Sequence, residues 1–128
     1  MTKNLLWIDD IRDPETGTWL QDYSPIGVKD VKVTWVKNYN EFRQYINTEG
    51  IPDAICFDHD LADIENGSSK EKTGYDCAKY LVDVCLEMCM DIPLYNIQSS
   101  NPAGKKNIRS LLNNYHNFYI KNFKNIKQ

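Results

Sequence analysis

The chain has 128 residues, of which 41% are apolar, 26% charged and 12% aromatic, and this composition predicts one globular domain over residues 1–128. Its start, MTKNLLWIDD, places two carboxylates where the apolar part of a signal peptide would continue, and no apolar run is long enough to span a bilayer. The formal net charge of -3 hides an asymmetry, because all 18 acidic residues lie within residues 1–91 whereas six of the 15 basic residues lie within residues 92–128. We therefore expect a cytoplasmic protein without membrane contact. The charge asymmetry favours a bound cation near the acidic part and a bound anion near the basic part, although a solvated dipolar surface would give the same asymmetry.

The first half of the chain predicts two strands and one helix. Leu5 to Asp9 is a short apolar run that ends in acid, which is typical of a buried parallel strand. Val31 to Trp35 alternates apolar and polar residues, as a strand at a sheet edge does. Asn38 with Glu41 three residues later resembles a capping box, and it predicts a helix that ends at Gly50.

The middle of the chain predicts a further strand, a loop and a helix. Ala54 to Phe57 is the third strand, and the polar stretch from Asp63 to Thr73 is a surface loop. An apolar stripe predicts a helix from Tyr75 to about Met90. No pair of cysteines has Cys-x-x-Cys spacing, so we expect reduced thiols buried in the core at four positions, Cys56, Cys77, Cys85 and Cys89.

The last third predicts two strands around one helix. Leu94 to Gln98 is the fourth strand, and Asn101 followed by Pro102 predicts the start of the next helix. Phe118 to Ile120 is interpreted as a fifth strand that ends at Lys121. Because strands and helices alternate throughout, the sequence predicts a doubly wound α/β fold with a five-stranded parallel sheet.

The helices next to the first and last strands are predicted to be short or missing. Residues 13–30 contain two prolines and two glycines, and the chain ends seven residues after Lys121. In a doubly wound sheet these two helices cover the same face. We therefore expect either the loop from Trp19 to Tyr23 or a second subunit, in a homodimer, to cover that face.

Polar side chains end four of the predicted strands, and the carboxyl ends of parallel strands form one edge where ligands bind. Three carboxylates at this edge would repel one another unless a cation joined them, and oxygen ligands favour Mg2+. Hydroxyl groups and a lysine beside them suit a phosphate group. The expected site contains Asp9, Asp10, Asp58, Ser99, Ser100 and Lys121.

The helix that begins at Pro102 could add to a phosphate site through its free N–H groups and its basic residues Lys105, Lys106 and Arg109, although these could also form an ordinary solvated face. His59 could act as a general acid or base, or it could be an exposed neighbour of the site. The tryptophans are interpreted as core or loop-packing residues rather than as platforms for base stacking; they are Trp7, Trp19 and Trp35.

The acid pair, the later Asp, the hydroxyl and the Lys at successive strand ends resemble the receiver domain of two-component signalling. The resemblance implies the sheet order 2-1-3-4-5. It also implies that Asp58 accepts a phosphoryl group, that Asp9 and Asp10 hold Mg2+ together with the main-chain carbonyl of Asp60, and that Ser99 is the switch hydroxyl, with Ser100 as the less favoured candidate. Lys121 would then pair with the phosphoryl group.

The chain is more similar still to a subgroup, the cyclic-phosphate processing receiver domain. Four stretches carry this similarity, namely IDDIRDP (8–14), FDHDL (57–61), TGYD (73–76) and SSNPAG (99–104). The resemblance implies phosphate chemistry at the ends of nucleotides or RNA, with Asn101 and Gly104 in the phosphate-binding segment. One departure is Gln98, where the subgroup tends to carry a histidine.

Three functions follow from these patterns. The favoured one is a magnesium-dependent site that binds or processes a phosphate-containing nucleotide or an RNA end with a cyclic phosphate, and for it an enzymatic activity stays open. Double-stranded DNA is not an expected partner. The alternatives are a receiver that is phosphorylated on Asp58 and signals to a protein partner, and an inert module that binds a ligand or a protein.

Overall fold

The computed structural model describes residues 1–61 and 72–124, and within them the chain forms a parallel sheet with helices on both sides. The predicted loop over residues 63–73 therefore lies mostly outside the described residues. The elements follow one another as β1 (Lys3–Ile8), α1 (Trp19–Tyr23), β2 (Val31–Val36), α2 (Tyr39–Glu49), β3 (Ala54–Phe57), α3 (Gly74–Glu87), β4 (Leu94–Ile97), α4 (Pro102–Tyr119) and a π-helical turn (Ile120–Lys124).

The described strands form a four-stranded sheet in the order β2-β1-β3-β4, and each neighbouring pair is parallel. Ile8 is in register with Val36 and with Phe57, and Phe57 is in register with Ile97, so the strands end together. The α/β class and the order 2-1-3-4 are confirmed. The residues that follow the strands consequently meet at one edge, which is the edge that the sequence assigns to a site.

The sheet has a core on each face. On one face the side chains of β1, β3 and β4 pack against α2, α3 and α4, and Leu6, Ile55 and Ile97 are fully buried there. On the other face Leu5 and Trp7 are fully buried. Trp19, Leu20, Tyr23 and Ile26 pack against that second core.

The short first helix is thus confirmed, and of the two covers expected for this face the structure shows the segment from Trp19 to Tyr23. Five residues of helix are enough because Trp19 and Tyr23 stack on each other, with ring centroids 5.9 Å apart, and bring a large apolar surface to the sheet. Because this face is covered from within the chain, the reason for expecting a homodimer no longer holds.

The prediction of a fifth strand at Phe118 to Ile120 is wrong. α4 continues through Tyr119, and the chain then passes into the π-helical turn. The apolar stripe that includes Leu112 and Tyr115 extends at helical spacing to Tyr119, and the sequence has no proline or glycine after Gly104 that would end the helix. A tyrosine, a phenylalanine and an isoleucine suit a strand by propensity, but packing of the amphipathic face decides for the helix.

The predicted helix starts are confirmed. The Asn38 side chain accepts a hydrogen bond from Glu41 N, and the Asn101 side chain accepts one from Gly104 N. Thr73 and Asp76 form a complete capping box at the start of α3, which was not among the predicted helix caps.

Of the four cysteines, all free, Cys56, Cys77 and Cys85 are buried as expected, whereas Cys89 is exposed, which corrects that part of the prediction. α3 ends at Glu87, so Cys89 has left the apolar stripe, and its φ of 54° belongs to the turn that follows. Burial raises the pKa of Cys56 to about 12, so that thiol is chemically inert at neutral pH. No helix among the described residues combines the length and hydrophobicity that a membrane crossing requires.

Candidate functional site

Three carboxylates converge where β1 and β3 end. Asp9 and Asp10 follow β1 and Asp58 follows β3, and one oxygen atom from each lies within 4.8 Å of the other two. Asp9 is fully buried and Asp58 is 4% exposed. A group of oxygen ligands at this spacing is the kind that hard divalent cations such as Mg2+ prefer, so the cluster could hold a metal ion.

The Asp9 carboxylate is fixed by donors on both of its oxygens. Oδ1 accepts hydrogen bonds from the main-chain N–H groups of Ile11 and Arg12, at 3.1 and 2.9 Å. Oδ2 accepts from Arg12 Nη1 at 3.2 Å and from Gln98 Nε2 at 3.4 Å. These donors replace the hydrogen bonds that water would make to a carboxylate outside the core.

Asp58 is in a different electrostatic state. Burial, and then the negative charge of Asp9, raises its pKa from 3.8 to about 6, while Arg12 and a hydrogen bond with Ser99 act in the opposite direction. Repulsion among the acids is therefore only partly relieved by the groups of the chain itself. A bound cation would remove the remainder, which is a physical reason for these three side chains to take one.

Among the described residues, Arg12 brings a positive charge into this cluster. Its Nη1 lies 3.2 Å from Asp9 Oδ2 and 3.4 Å from Asp58 Oδ2, so it bridges the two buried carboxylates. Its guanidinium group also lies 5.3 Å from the centroid of the Trp19 ring. The short helix α1 consequently holds the arginine as well as covering the sheet.

Lys121, which was expected at this edge, is far from it. α4 begins at the site with its N-cap Asn101 and rises about 27 Å over its 18 residues before Lys121 is reached in the π-helical turn. The expectation failed with the fifth strand, because without that strand the chain does not return to the edge. Arg12 is the positive charge that contacts Asp58 instead.

His59 is held beside the cluster by two groups. Its Nδ1 lies 2.9 Å from Asp60 Oδ1, and the Asn101 amide donates to that same oxygen at 3.2 Å. The hydrogen bond with His59 lowers the pKa of Asp60. An ionised Asp60 favours the tautomer in which Nδ1 carries the proton, and Nε2 is then the ring nitrogen that can accept one.

Two glycines allow helices to approach this segment. Gly104 packs against the His59 ring, and Gly74 packs against the main chain at Asp58 and donates a hydrogen bond to His59 O at 2.8 Å. A Cβ at either position would overlap these neighbours. Gly104 was expected to bind phosphate, but its N–H is already bonded to the Asn101 side chain, so its evident role is close packing.

The remaining predicted residues divide into near and far groups. Ser99 contacts Asp58 and is 9% exposed, whereas Ser100 is exposed to solvent. Lys105 and Lys106 lie in the first two turns of α4, and Arg109 lies further along, close enough to Tyr95 to affect its hydroxyl group. The side chain of Asp60 is not part of the acid cluster. Metal binding by the main-chain carbonyl of Asp60 is a separate expectation and stays a prediction.

Two residues of the site were missed in the sequence. Arg12 is separated from the acid pair by one residue, and nothing in the spacing shows that its side chain turns back. Gln98 is 3% exposed and donates from Nε2 to Ile8 O at 3.0 Å, while its Oε1 is buried without a hydrogen-bond partner among the described residues. The available signal was a polar residue directly after β4, which the prediction treated only as a departure from the subgroup.

A comparison with protein families identified a related family. The profile of the family described as Cyclic-phosphate processing Receiver domain matches residues 4–114, which include the acid cluster and all of the sheet except the first residue of β1. No curated protein sequence matches the chain.

Proposed function

Because the chain belongs to the family of cyclic-phosphate processing receiver domains, we propose that its acid cluster binds Mg2+ and, with it, a nucleotide or RNA end that carries a cyclic phosphate. The observation that carries the proposal is the convergence of Asp9, Asp10 and Asp58 beside Arg12. Bound Mg2+ would neutralise the carboxylates and attract a phosphate oxygen.

The side chains around the cluster have separate roles in this proposal. Arg12 would contact the phosphate as a planar donor once a cation has taken over the neutralisation of Asp9 and Asp58. Ser99, now bonded to Asp58, would donate its hydroxyl to a phosphate oxygen. Lys105 and Lys106 would attract the anion from the first turns of α4.

Turnover of a cyclic phosphate would require proton transfer, and His59 is the candidate for it. In hydrolysis the oxygen of water bonds to phosphorus, one phosphorus–oxygen bond to the ribose breaks, and the departing oxygen gains a proton. His59 Nε2 would take the proton from water and return it to that oxygen. The contact of Nδ1 with Asp60 supports this role, because it fixes the tautomer and the ring orientation.

The binding proposal is tested by calorimetry with 2′,3′-cyclic AMP and 2′,3′-cyclic GMP, in Mg2+ and in EDTA. We expect binding only in Mg2+, and a loss of about tenfold or more in Asp10→Asn and in Arg12→Gln, since each removes a charged contact. Lys121→Gln is the matched control, because it removes a cation far from the site, and it should bind like the wild type. Binding that is unaffected by EDTA and by Asp10→Asn would contradict the proposal.

A second candidate function is phosphorylation of Asp58, and the contact between Asp58 and Ser99 favours it. Acetyl phosphate should then add one phosphate mass that is absent in Asp58→Asn. The distance of Lys121 from the site makes this function less favoured, because the expected lysine partner of the phosphoryl group is not there.

A further inference from the structure

A pocket of about 210 Å³ lies on the α1 side of the sheet and has no role in the functions above. Val33 and Trp35 of β2 line it together with Pro14, and these residues give it an aliphatic and aromatic lining. Asp13 and Glu15 also line it and bring two carboxylates. It is smaller than the roughly 300–1,000 Å³ typical of pockets for drug-sized ligands, so it suits one ring system rather than a whole nucleotide.

The pocket is directly connected to the acid cluster. Trp35 Nε1 donates a hydrogen bond to Asp9 O at 2.7 Å, so the indole that lines the pocket is tied to the main chain of a cluster residue. Asp13, which also lines the pocket, follows Arg12, and the carbonyl of Arg12 accepts a hydrogen bond from Trp7 Nε1 at 2.9 Å. Arg12, which would contact the phosphate, thus directly precedes in the chain a residue that lines the pocket.

We propose that this pocket binds the base of the nucleotide, and that it prefers guanine; the inference rests on the proposed function and names the ligand's base. Trp35, Val33 and Pro14 would pack against the ring, as aromatic and apolar side chains do with unpaired bases. The ring of Trp35 already has a cation neighbour, since Lys37 Nζ lies 4.4 Å from its centroid, and a neutral base can join or replace that contact.

The two carboxylates determine which base fits. Asp13 and Glu15 can only accept hydrogen bonds when ionised, so they select a base edge that donates. Guanine presents N1–H and the N2 amino group side by side, whereas uracil presents one N–H between two carbonyl oxygens that a carboxylate repels. One oxygen of Asp13 already accepts from Glu15 N at 2.9 Å, which holds the turn that brings the two acids together.

The test compares 2′,3′-cyclic GMP with 2′,3′-cyclic UMP by calorimetry in Mg2+. We expect the guanine ligand to bind about tenfold or more tightly, as a two-donor contact with a carboxylate allows. The double variant with Asp13→Asn and Glu15→Gln should reduce this preference to less than about threefold, while its asparagine can still hold the turn. Glu49→Gln, an exposed charge change on α2, should keep the preference. Equal affinities in the wild type, or a preference that survives the double variant, would overturn the inference.

A second measurement separates this inference from the proposed function. Guanosine carries no phosphate, so its binding reports the pocket alone. We expect guanosine, and not uridine, to shift the NMR signal of the Trp35 indole N–H in EDTA. If guanosine shifts it and no cyclic nucleotide gains affinity from Mg2+, the base pocket stands and the phosphate site fails. If cyclic nucleotides bind with Mg2+ but guanosine leaves Trp35 unchanged, the phosphate site stands and the base pocket fails.

Discussion

The side chains of Arg12 and Gln98 make three contacts with the acid cluster, yet they do not neutralise it. Arg12 contributes one positive charge to two buried carboxylates, and Gln98 contributes only a neutral amide. Asp9 receives most of these contacts, and the cost of burial and repulsion falls on Asp58, whose pKa is raised to about 6. The site therefore contains one carboxylate that is well supplied with hydrogen bonds, Asp9, and one that is destabilised, Asp58.

The first prediction concerns Asp58 in the metal-free protein. Its folded pKa of about 6 lies above the ordinary 3.8, so the folded state binds the proton more tightly than the unfolded state. The free energy of unfolding should therefore rise as the pH falls from about 7.5 through 6 towards 4. Asp58→Asn removes the buried charge and should stabilise the metal-free protein at pH 7.5 by roughly 1–3 kcal/mol.

Thermal unfolding in EDTA at several pH values tests this prediction. Mg2+ should raise the melting temperature of the wild type at pH 7.5, and it should raise that of Asp58→Asn much less, because one ligand is lost. Glu49→Gln is the control for the loss of a negative charge. Asp53→Asn is less suitable, because the Asp53 side chain accepts a hydrogen bond from Asn4 N. A wild type whose stability falls steadily from pH 7.5 to 5, with no gain in Asp58→Asn, would contradict the raised pKa.

At the scale of elements, the end of α4 decides which residues can reach the site. The helix continues where a fifth strand was expected, and Lys121 therefore lies far from the site.

Asn96 lies at the outer edge of β4. Its Oδ1 accepts a hydrogen bond from Ile97 N, and its Nδ2 donates one to Tyr23 O. Gln98 N bonds to β3, so Ile97 N points to the open side, and the asparagine satisfies it there.

The second prediction tests the continuous helix at Asn117, which is exposed and lies two residues before the end of α4. In a helix, Asn117→Ala should be more stable than Asn117→Gly by about 0.5–1 kcal/mol, because glycine loses more backbone entropy. In a loop before a strand the two variants would differ little. Urea unfolding of both variants measures the difference, and the same pair at Asn114, another exposed position of α4, serves as the internal reference.

The elements that could be predicted from the sequence are those whose ends carry local signals. Two helices begin at asparagines, Asn38 and Asn101, whose side chains accept hydrogen bonds from the first turn. One helix ends at Gly50, which has a positive φ. The acid cluster was predictable too, because parallel strands that end in register bring their following residues together. Side chains that turn back from a loop, as Arg12 does, depend on packing against Trp19 and are not visible in spacing alone.

At the scale of the whole molecule, the face that lacks long helices is covered from within the chain. Leu5, Trp7, Ala54 and Cys56 are fully buried under the segment that contains α1. At the outer edge of β4, the side chain of Asn96 accepts the hydrogen bond of Ile97 N, so this main-chain donor is not open to a strand of another copy. Both features make a second copy unnecessary for burying the sheet.

The last prediction is that the wild type sediments as a monomer at tens of micromolar, on the order of the concentrations at which weak dimers are seen.

Trp19→Ala should uncover part of this face and lower the free energy of unfolding by roughly 1–3 kcal/mol. The loss is smaller than for a fully buried tryptophan, because Trp19 is half-buried. It should also weaken phosphate-ligand binding, since the indole that supports Arg12 is lost. Trp19→Phe keeps a ring at that position and should retain most of both properties. A wild-type dimer whose association is unchanged in Trp19→Ala would show that copies meet elsewhere, and ligand binding unaffected by Trp19→Ala would show that Arg12 needs no support from α1.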